Sequence, residues 1–139
     1  MKGYYALDGS ALIELCLDTS AGEVLRDALK TGEAIAYTHE LAITEALYTL
    51  CRRVGWQKAK RSVDSFLLSG YLIVETTSAL TERASMLKCE RPVAISDCFT
   101  LALAISKDIS ALFADRESEL VREMERRPLG VDVEFISDW

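Results

Sequence analysis

The chain has 139 residues, 50% hydrophobic and 27% charged, a size and composition that fit one globular domain with a substantial core. No apolar stretch approaches the roughly 20 residues of a membrane span, and the first residues lack the basic-then-apolar order of a secretory signal. We therefore expect a cytoplasmic protein with no membrane association. The net charge of −6 argues against a surface that attracts nucleic acid everywhere, although metal ions and local basic patches can override that average.

Short apolar runs alternate with stretches of helical periodicity, with no repeat or linker, so we treat residues 1–139 as a single domain. The predicted elements of the first half are, in chain order, a strand at Tyr4–Leu7, helices at Ser10–Leu17 and Gly22–Lys30, a strand at Ala34–Tyr37, a helix capped by Thr38 that ends near Val54, and a helix at Trp56–Leu68.

The second half follows the same alternation. Its predicted elements are a strand at Tyr71–Val74, helices at Leu80–Cys89 and Ile95–Ser106, a strand at Ala111–Phe113, a helix at Glu117–Arg127 and a strand at Val131–Phe135. Strands separated by helices predict an α/β fold, a three-layer α/β/α sandwich around a mainly parallel sheet. In such folds, functional sites form at the carboxyl ends of the strands.

Four carboxylates lie at positions that solvation alone does not explain. Asp8 and Asp115 each follow a predicted strand, although either could instead cap the helix that comes next. Glu45 lies within an apolar helix, so it either faces solvent or has a partner. Asp97 is the only charged residue of "VAISDCFTLALAI", where it could complement the helix dipole beside Ser96 as N-cap. Because so apolar a helix should be buried, we expect Asp97 to face an interior crevice.

If the four acids converge, their chemistry is restricted. Carboxylates about 4–6 Å apart repel one another unless a proton or a cation neutralises them. A ligand set of oxygen atoms, without histidine or cysteine, favours Mg²⁺ or Mn²⁺. Such an ion lowers the pKa of water and clamps a phosphodiester, so the pattern predicts metal-assisted phosphodiester hydrolysis.

The cysteines and the histidine do not form a zinc-binding pattern. The four cysteines are widely spaced without a Cys-x-x-Cys pair, and His39 is the only histidine, so we expect reduced thiols.

The segments "YYALDGSALIELCL", "LAITEALYTL", "AISDCFTLALAI" and "ALFADRESEL", in this order, resemble the four acidic motifs of the PIN domain. They are most similar to the small ribonucleases of VapC-type toxin–antitoxin pairs, and the resemblance extends from Tyr4 to about Phe135. It implies a PIN-like fold and a Mg²⁺- or Mn²⁺-dependent endoribonuclease that is usually a homodimer. It also implies a VapB-like antitoxin that inserts a segment at the active site.

By motif, the resemblance assigns catalysis and metal binding to Asp8, Glu45, Asp97 and Asp115, and a supporting role to Ser10.

The fourth motif departs from the commoner form of the family, which resembles Val-Thr-x-Asp. Here the segment is Leu112-Phe113-Ala114-Asp115, one residue shorter and without the threonine. Glu117 and Glu119 are therefore alternatives that could share the role of Asp115.

A basic patch lies between residues 52 and 61. Its members could simply be a solvated corner between two helices, but a ribonuclease needs cations that contact phosphate groups. We predict RNA-backbone contacts from Arg52, Arg53, Lys58 and Arg61, with Lys60 in the same segment.

Three other interpretations compete with the nuclease hypothesis. "LDGS" resembles the Asp-x-Asp-Gly-Thr signature of haloacid-dehalogenase-type phosphatases, but Ala6 occupies the position of the nucleophile. A receiver-like signalling domain would require a lysine at a strand end, which is not evident. A non-catalytic PIN-like interaction module remains the alternative.

Overall fold

The computed structural model describes residues 3–139 as five strands and seven α-helices, followed by one turn of 3₁₀-helix. The strands are β1 (Gly3–Leu7), β2 (Ala34–His39), β3 (Leu72–Glu75), β4 (Ser110–Phe113) and β5 (Val133–Phe135). The helices are α1 (Gly9–Cys16), α2 (Ser20–Thr31), α3 (Glu40–Val54), α4 (Trp56–Ser69), α5 (Thr77–Glu90), α6 (Ile95–Lys107) and α7 (Ser118–Arg126), and the 3₁₀ turn is Ile136–Asp138. Within the described residues, no helix is long and apolar enough to cross a lipid bilayer.

The five strands form one parallel sheet in the order β3-β2-β1-β4-β5. β1 is central: Tyr5 pairs with Ala36 of β2 on one side and with Ser110 of β4 on the other. The chain builds outward from β1 to β3 and then crosses to the opposite side, so the order reverses between β1 and β4. This reversal opens a crevice at the carboxyl ends of the two strands, where ligands bind in sheets of this kind.

Helices cover both faces of the sheet and confirm the predicted α/β/α sandwich. Successive residues of a strand point to opposite faces, so Tyr5 and Leu7 pack on one side and Ala6 on the other. The first side is covered by α1 to α4 and the second by α5 to α7. Helix α6 is the most deeply placed, because every residue from Asp97 to Ala104 is buried. The helix therefore carries Asp97 into the interior, as its apolar sequence predicts.

The predicted capping residue of α3 is wrong. β2 extends to His39, so Thr38 belongs to the strand and its hydroxyl donates a hydrogen bond to the Leu7 carbonyl (3.0 Å). His39 is the N-cap instead, and its Nδ1 accepts a hydrogen bond from the Ala42 N–H (3.1 Å).

Two capping roles that the sequence left open are not adopted. α6 begins at Ile95 after Ala94, so Ser96 lies inside the helix and is not its N-cap. Asp115 does not cap α7, whose N-cap position is occupied by Glu117. In both cases the N-cap position lies two residues away from the candidate cap, and no side chain caps the helix.

Candidate active site

Asp8 lies at the carboxyl end of β1, where it is also the N-cap of α1. Its carboxylate is only 3% exposed and is enclosed by hydrogen-bond donors. Oδ2 accepts hydrogen bonds from the Ser10 N–H (3.1 Å) and hydroxyl (2.8 Å), and Oδ1 accepts one from the Thr100 hydroxyl (3.1 Å). Burial raises the pKa of Asp8, and the hydrogen bonds from Ser10 and Thr100 oppose that rise. Capping and a place in the candidate site therefore coincide in one residue.

Ser10 joins the ends of two strands. Its hydroxyl donates to Asp8 and accepts a hydrogen bond from the Ala114 N–H (3.0 Å), which directly follows β4. The Asp8 N–H donates to the Leu112 carbonyl (2.9 Å) across the same crevice. These bonds fix the separation of β1 and β4 where the crevice opens.

Glu45 projects from α3 toward Asp8 and lies against the backbone of Gly9. A Cβ atom at Gly9 would stand 2.9 Å from the Glu45 Cβ atom, so only glycine leaves this approach unstrained. The Ser96 hydroxyl donates a hydrogen bond to Glu45 Oε2 (3.2 Å). The pKa of Glu45 is raised by partial burial and then by the charges of Asp8 and Glu117. Glu45 thus has a partner and belongs to an acidic cluster.

Asp97 faces the same crevice from the first turn of α6 and is 5% exposed. Burial is the largest cause that raises its pKa to about 8, and the charges of Asp8, Glu117, Glu45 and Glu119 add to the rise. In the absence of a cation, Asp97 therefore keeps its proton at neutral pH.

Glu117 also interacts electrostatically with these acids, and Asp115 stays the acid that the fourth motif predicts. The pKa of Glu117 is raised by burial and by the charge of Asp8, and Glu117 in turn raises the pKa values of Glu45 and Asp97. Asp115 acts on Glu117 but is not among the charges that shift Glu45 or Asp97.

The segment that carries Asp115 and Glu117 is anchored by Arg116, the residue between them. The Arg116 side chain donates to Asp138 from both Nε and Nη2 (3.1 and 2.6 Å to Oδ2) and lies 4.9 Å above the Phe135 ring. The Ser137 N–H also donates to the Ala114 carbonyl (2.9 Å). The C-terminal residues thus hold this loop at the mouth of the crevice.

Asp8, Glu45, Asp97 and Glu117, which we term the acidic cluster, form no salt bridge with a lysine or arginine of the described residues. Across residues 3–139, the salt bridges of lysine and arginine side chains go to other carboxylates and none reaches the cluster. As the side chains stand in this part of the chain, no three of its histidine, cysteine, aspartate and glutamate residues form a group that could hold a metal ion. The cluster is therefore an open set of mutually repelling carboxylates.

The sequence did not predict a role in the crevice for two residues, Thr100 and His39. Thr100 contacts Asp8, and His39 contacts Thr100 through Nε2 (2.8 Å). Burial lowers the pKa of His39 to about 4, so its ring is neutral. The available signal was a threonine that follows Asp97 by three residues inside an otherwise apolar helix.

The predicted RNA-binding cations lie away from the acidic cluster. Arg52 and Arg53 are exposed in the last turn of α3, and Lys58 and Arg61 are exposed on α4. Seven residues of helix separate Glu45 from Arg52, which is about 10 Å along the helix axis. The Arg52 guanidinium lies 5.1 Å from the centre of the Tyr48 ring, and the patch is exposed at the end of α3 and on α4.

Comparisons with known proteins agree with this architecture. The sequence model of the PIN domain family matches residues 5–124. No curated protein sequence matches the chain significantly.

Several solved structures share the fold. VapC20 of Mycobacterium tuberculosis, described as a sarcin–ricin loop cleaving toxin, is 21% identical with a TM-score of 0.64, over 80% of this chain and 89% of its own. DNA-bound VapBC of Salmonella typhimurium matches at 18% identity and a TM-score of 0.70, over 98% and 99% of the two chains. PAE2754 of Pyrobaculum aerophilum matches at 24% identity and a TM-score of 0.61, over 96% and 92%. These similarities confirm the predicted fold.

We predict that Gly9→Ala lowers the free energy of unfolding by about 1–3 kcal/mol, because the new Cβ atom would overlap the Glu45 side chain. Urea unfolding in the presence of a chelator measures this loss. In a Glu45→Gly background the same substitution should cost clearly less, because the overlapping atoms are gone. An equal cost in both backgrounds would contradict the contact as its cause.

We predict that Asp97→Asn stabilises the protein more as the pH rises. The pKa of Asp97 is about 8 in the folded state and about 4 when unfolded, so between these values only the folded state holds the proton. Stability of the wild type therefore falls with pH in this window, by at most about 1.4 kcal/mol per pH unit. Chemical unfolding with a chelator at several pH values should show the advantage of the variant growing up to about pH 8 and then remaining constant. Parallel profiles would contradict the raised pKa.

Proposed function

The chain belongs to the PIN domain family, and on that premise we propose that it is an endoribonuclease that requires Mg²⁺ or Mn²⁺ to hydrolyse RNA phosphodiester bonds. One observation carries this proposal: the charge of Asp8, which follows β1, raises the pKa values of Glu45 on α3, Asp97 on α6 and Glu117 before α7, and within the described residues no lysine or arginine forms a salt bridge with any of these acids. An arrangement that costs stability in this way is typical of a functional site.

The donor set of the acidic cluster fits a hard divalent cation. Asp8, Glu45, Asp97 and Glu117 offer only oxygen atoms, which Mg²⁺ and Mn²⁺ prefer. We propose these residues as the metal-binding and catalytic carboxylates, with Asp115, the acid that the motif selects, at longer range. When bound, such a cation lowers the pKa of water and offsets the negative charge of a phosphodiester.

The side chains of the site would have different roles when a cation and the substrate bind. Ser10 and Thr100 orient the Asp8 carboxylate through their hydrogen bonds, which favour its ionised form against the effect of burial. Asp97, whose pKa is about 8 without a cation, has to release its proton when one binds, so cation affinity should increase with pH. Glu45 is positioned by Ser96. Glu117 lies on the exposed side, where substrate would approach.

We further propose that the protein is the toxin of a toxin–antitoxin pair, with a VapB-like antitoxin as partner, and that it forms a homodimer in the cytoplasm. Support comes from the shared fold with VapC20 and with the VapBC structures of Salmonella typhimurium and Rickettsia felis.

Replacing the buried members of the acidic cluster should abolish RNA cleavage. We predict that Asp8→Asn and Asp97→Asn lower the Mn²⁺-dependent cleavage rate by at least about 10²-fold, because each removes a charge that the cation requires. Cleavage of a labelled RNA pool, with thermal melts to confirm folding, measures the effect. Glu117→Gln should lower the rate more than Asp115→Asn, and the exposed variant Glu82→Gln on α5 serves as the control for the loss of one charge.

If the wild-type protein cleaves no RNA with Mg²⁺ or Mn²⁺, or if the variants cleave equally well, the nuclease proposal is wrong. A non-catalytic PIN-like interaction module would then be the better hypothesis.

Reversing charge in the basic patch should weaken RNA binding. We predict that Arg52→Glu combined with Arg53→Glu lowers affinity for single-stranded RNA and reduces the salt dependence by about 0.7 per lost phosphate contact. Binding is measured without divalent cations in an Asp8→Asn background, so that cleavage does not interfere. The matched control reverses Arg83 and Arg122, which are exposed on α5 and α7 across the sheet. Equal losses of RNA affinity in both double variants would contradict a role of the basic patch in RNA binding.

A further inference from the structure

We infer that His39 and Thr100 are positioning residues that hold the Asp8 carboxylate in its cation-binding orientation. This inference rests on the proposed function and names two residues that are not among the acids of the four motifs. The three side chains come from β2, α6 and the residue that follows β1, and they form one hydrogen-bonded chain, His39–Thr100–Asp8, in the interior of the protein.

The main chain sets the tautomer of His39. Its imidazole is fully buried, and Nδ1 accepts a hydrogen bond from the Ala42 N–H (3.1 Å), so Nδ1 carries no proton. The proton of the neutral ring is therefore on Nε2. Nε2 lies 2.8 Å from the Thr100 hydroxyl oxygen and must act as the donor to it. The helix cap of α3 thus determines the direction of the next hydrogen bond.

Because His39 donates to the Thr100 oxygen, the hydroxyl of Thr100 is free to donate its own proton to Asp8. Its hydroxyl has a single proton and, with His39 donating to the oxygen, only two acceptors within reach: Asp8 Oδ1 (3.1 Å) and the Ser96 carbonyl (3.2 Å). A hydrogen bond to an ionised carboxylate is stronger than one to a neutral carbonyl. The hydroxyl proton therefore goes to Asp8 once that carboxylate is ionised.

The result is a carboxylate restrained at both oxygens. Ser10 holds Oδ2 from α1, and Thr100 holds Oδ1 from α6. Without Thr100, the buried Oδ1 would lose its hydrogen bond and the carboxylate could rotate about its Cβ–Cγ bond. Replacement of a group that orients a metal ligand typically lowers metal affinity or activity by about 10–100-fold.

The experiment measures Mn²⁺ affinity by calorimetry, and thermal stability separately, on the full chain. Thr100→Val and His39→Asn should each weaken Mn²⁺ binding about tenfold. Asparagine keeps a short acceptor for the Ala42 N–H but does not reach Thr100. Thr100→Ser and His39→Gln, which restore a hydroxyl or an amide donor at the required reach, should recover affinity to within about threefold of the wild type.

Two controls separate positioning from a structural role. Thr38→Val removes another buried hydroxyl, one that donates only to the Leu7 carbonyl, so it should lower the melting temperature but change Mn²⁺ affinity less than about twofold. The double variant His39→Asn with Thr100→Val should bind Mn²⁺ no more weakly than Thr100→Val alone, because His39 acts only through Thr100.

A third readout needs no metal. Long-range ¹H–¹⁵N correlation of the His39 ring in the metal-free protein should show the proton on Nε2. The proton on Nδ1, wild-type Mn²⁺ affinity in Thr100→Val, or additive losses in the double variant would each overturn the inference.

Failure of the positioning role can be distinguished from failure of the proposed function. If the wild type binds Mn²⁺ and Asp8→Asn does not, while Thr100→Val binds like the wild type, only the positioning role is wrong. If the wild type binds neither Mn²⁺ nor Mg²⁺, the proposed function and this inference are both wrong.

Discussion

The crevice depends on the hydrogen bonds that surround the buried carboxylate of Asp8. A carboxylate in the protein interior is costly unless its oxygen atoms are hydrogen-bonded. Here Ser10 satisfies Oδ2 and Thr100 satisfies Oδ1, while Ser10 also accepts the Ala114 N–H. Because these partners belong to α1, α6 and the segment after β4, the hydrogen bonds that satisfy the Asp8 carboxylate also hold the walls of the crevice together.

The order of the sheet explains why so many polar groups meet at one edge. β1 lies between β2 and β4 and runs parallel to both, so the residues that end three neighbouring strands are close together. These residues are Asp8, His39 and Ala114, and α6 adds Asp97 and Thr100 from the covering layer. The strands are apolar because helices bury both faces. Polar side chains are thus confined to the strand ends.

Periodicity and composition were sufficient to predict the sandwich and to select Asp8, Glu45 and Asp97, because a carboxylate next to an apolar strand or inside an apolar helix is conspicuous. The choice between Asp115 and Glu117 depends on the conformation of a short loop, which Arg116 fixes by binding Asp138 far along the chain. The roles of His39 and Thr100 depend on a contact between residues 61 positions apart. No local pattern in the sequence encodes such a contact.

The members of the acidic cluster differ in how deeply their side chains are buried. Asp8 and Asp97 are buried, whereas Glu117 is exposed and Glu45 only half-buried. The buried pair is fixed by the sheet and by α6, so repulsion within the cluster is relieved by protonation of Asp97 and by movement of the more exposed glutamates. A ligand that binds only the folded state adds its binding free energy to stability. Any cation that removed this repulsion would therefore stabilise the fold and draw the glutamates inward. Under the proposed function, relief of the repulsion that weakens the free protein would contribute to the affinity for the cation.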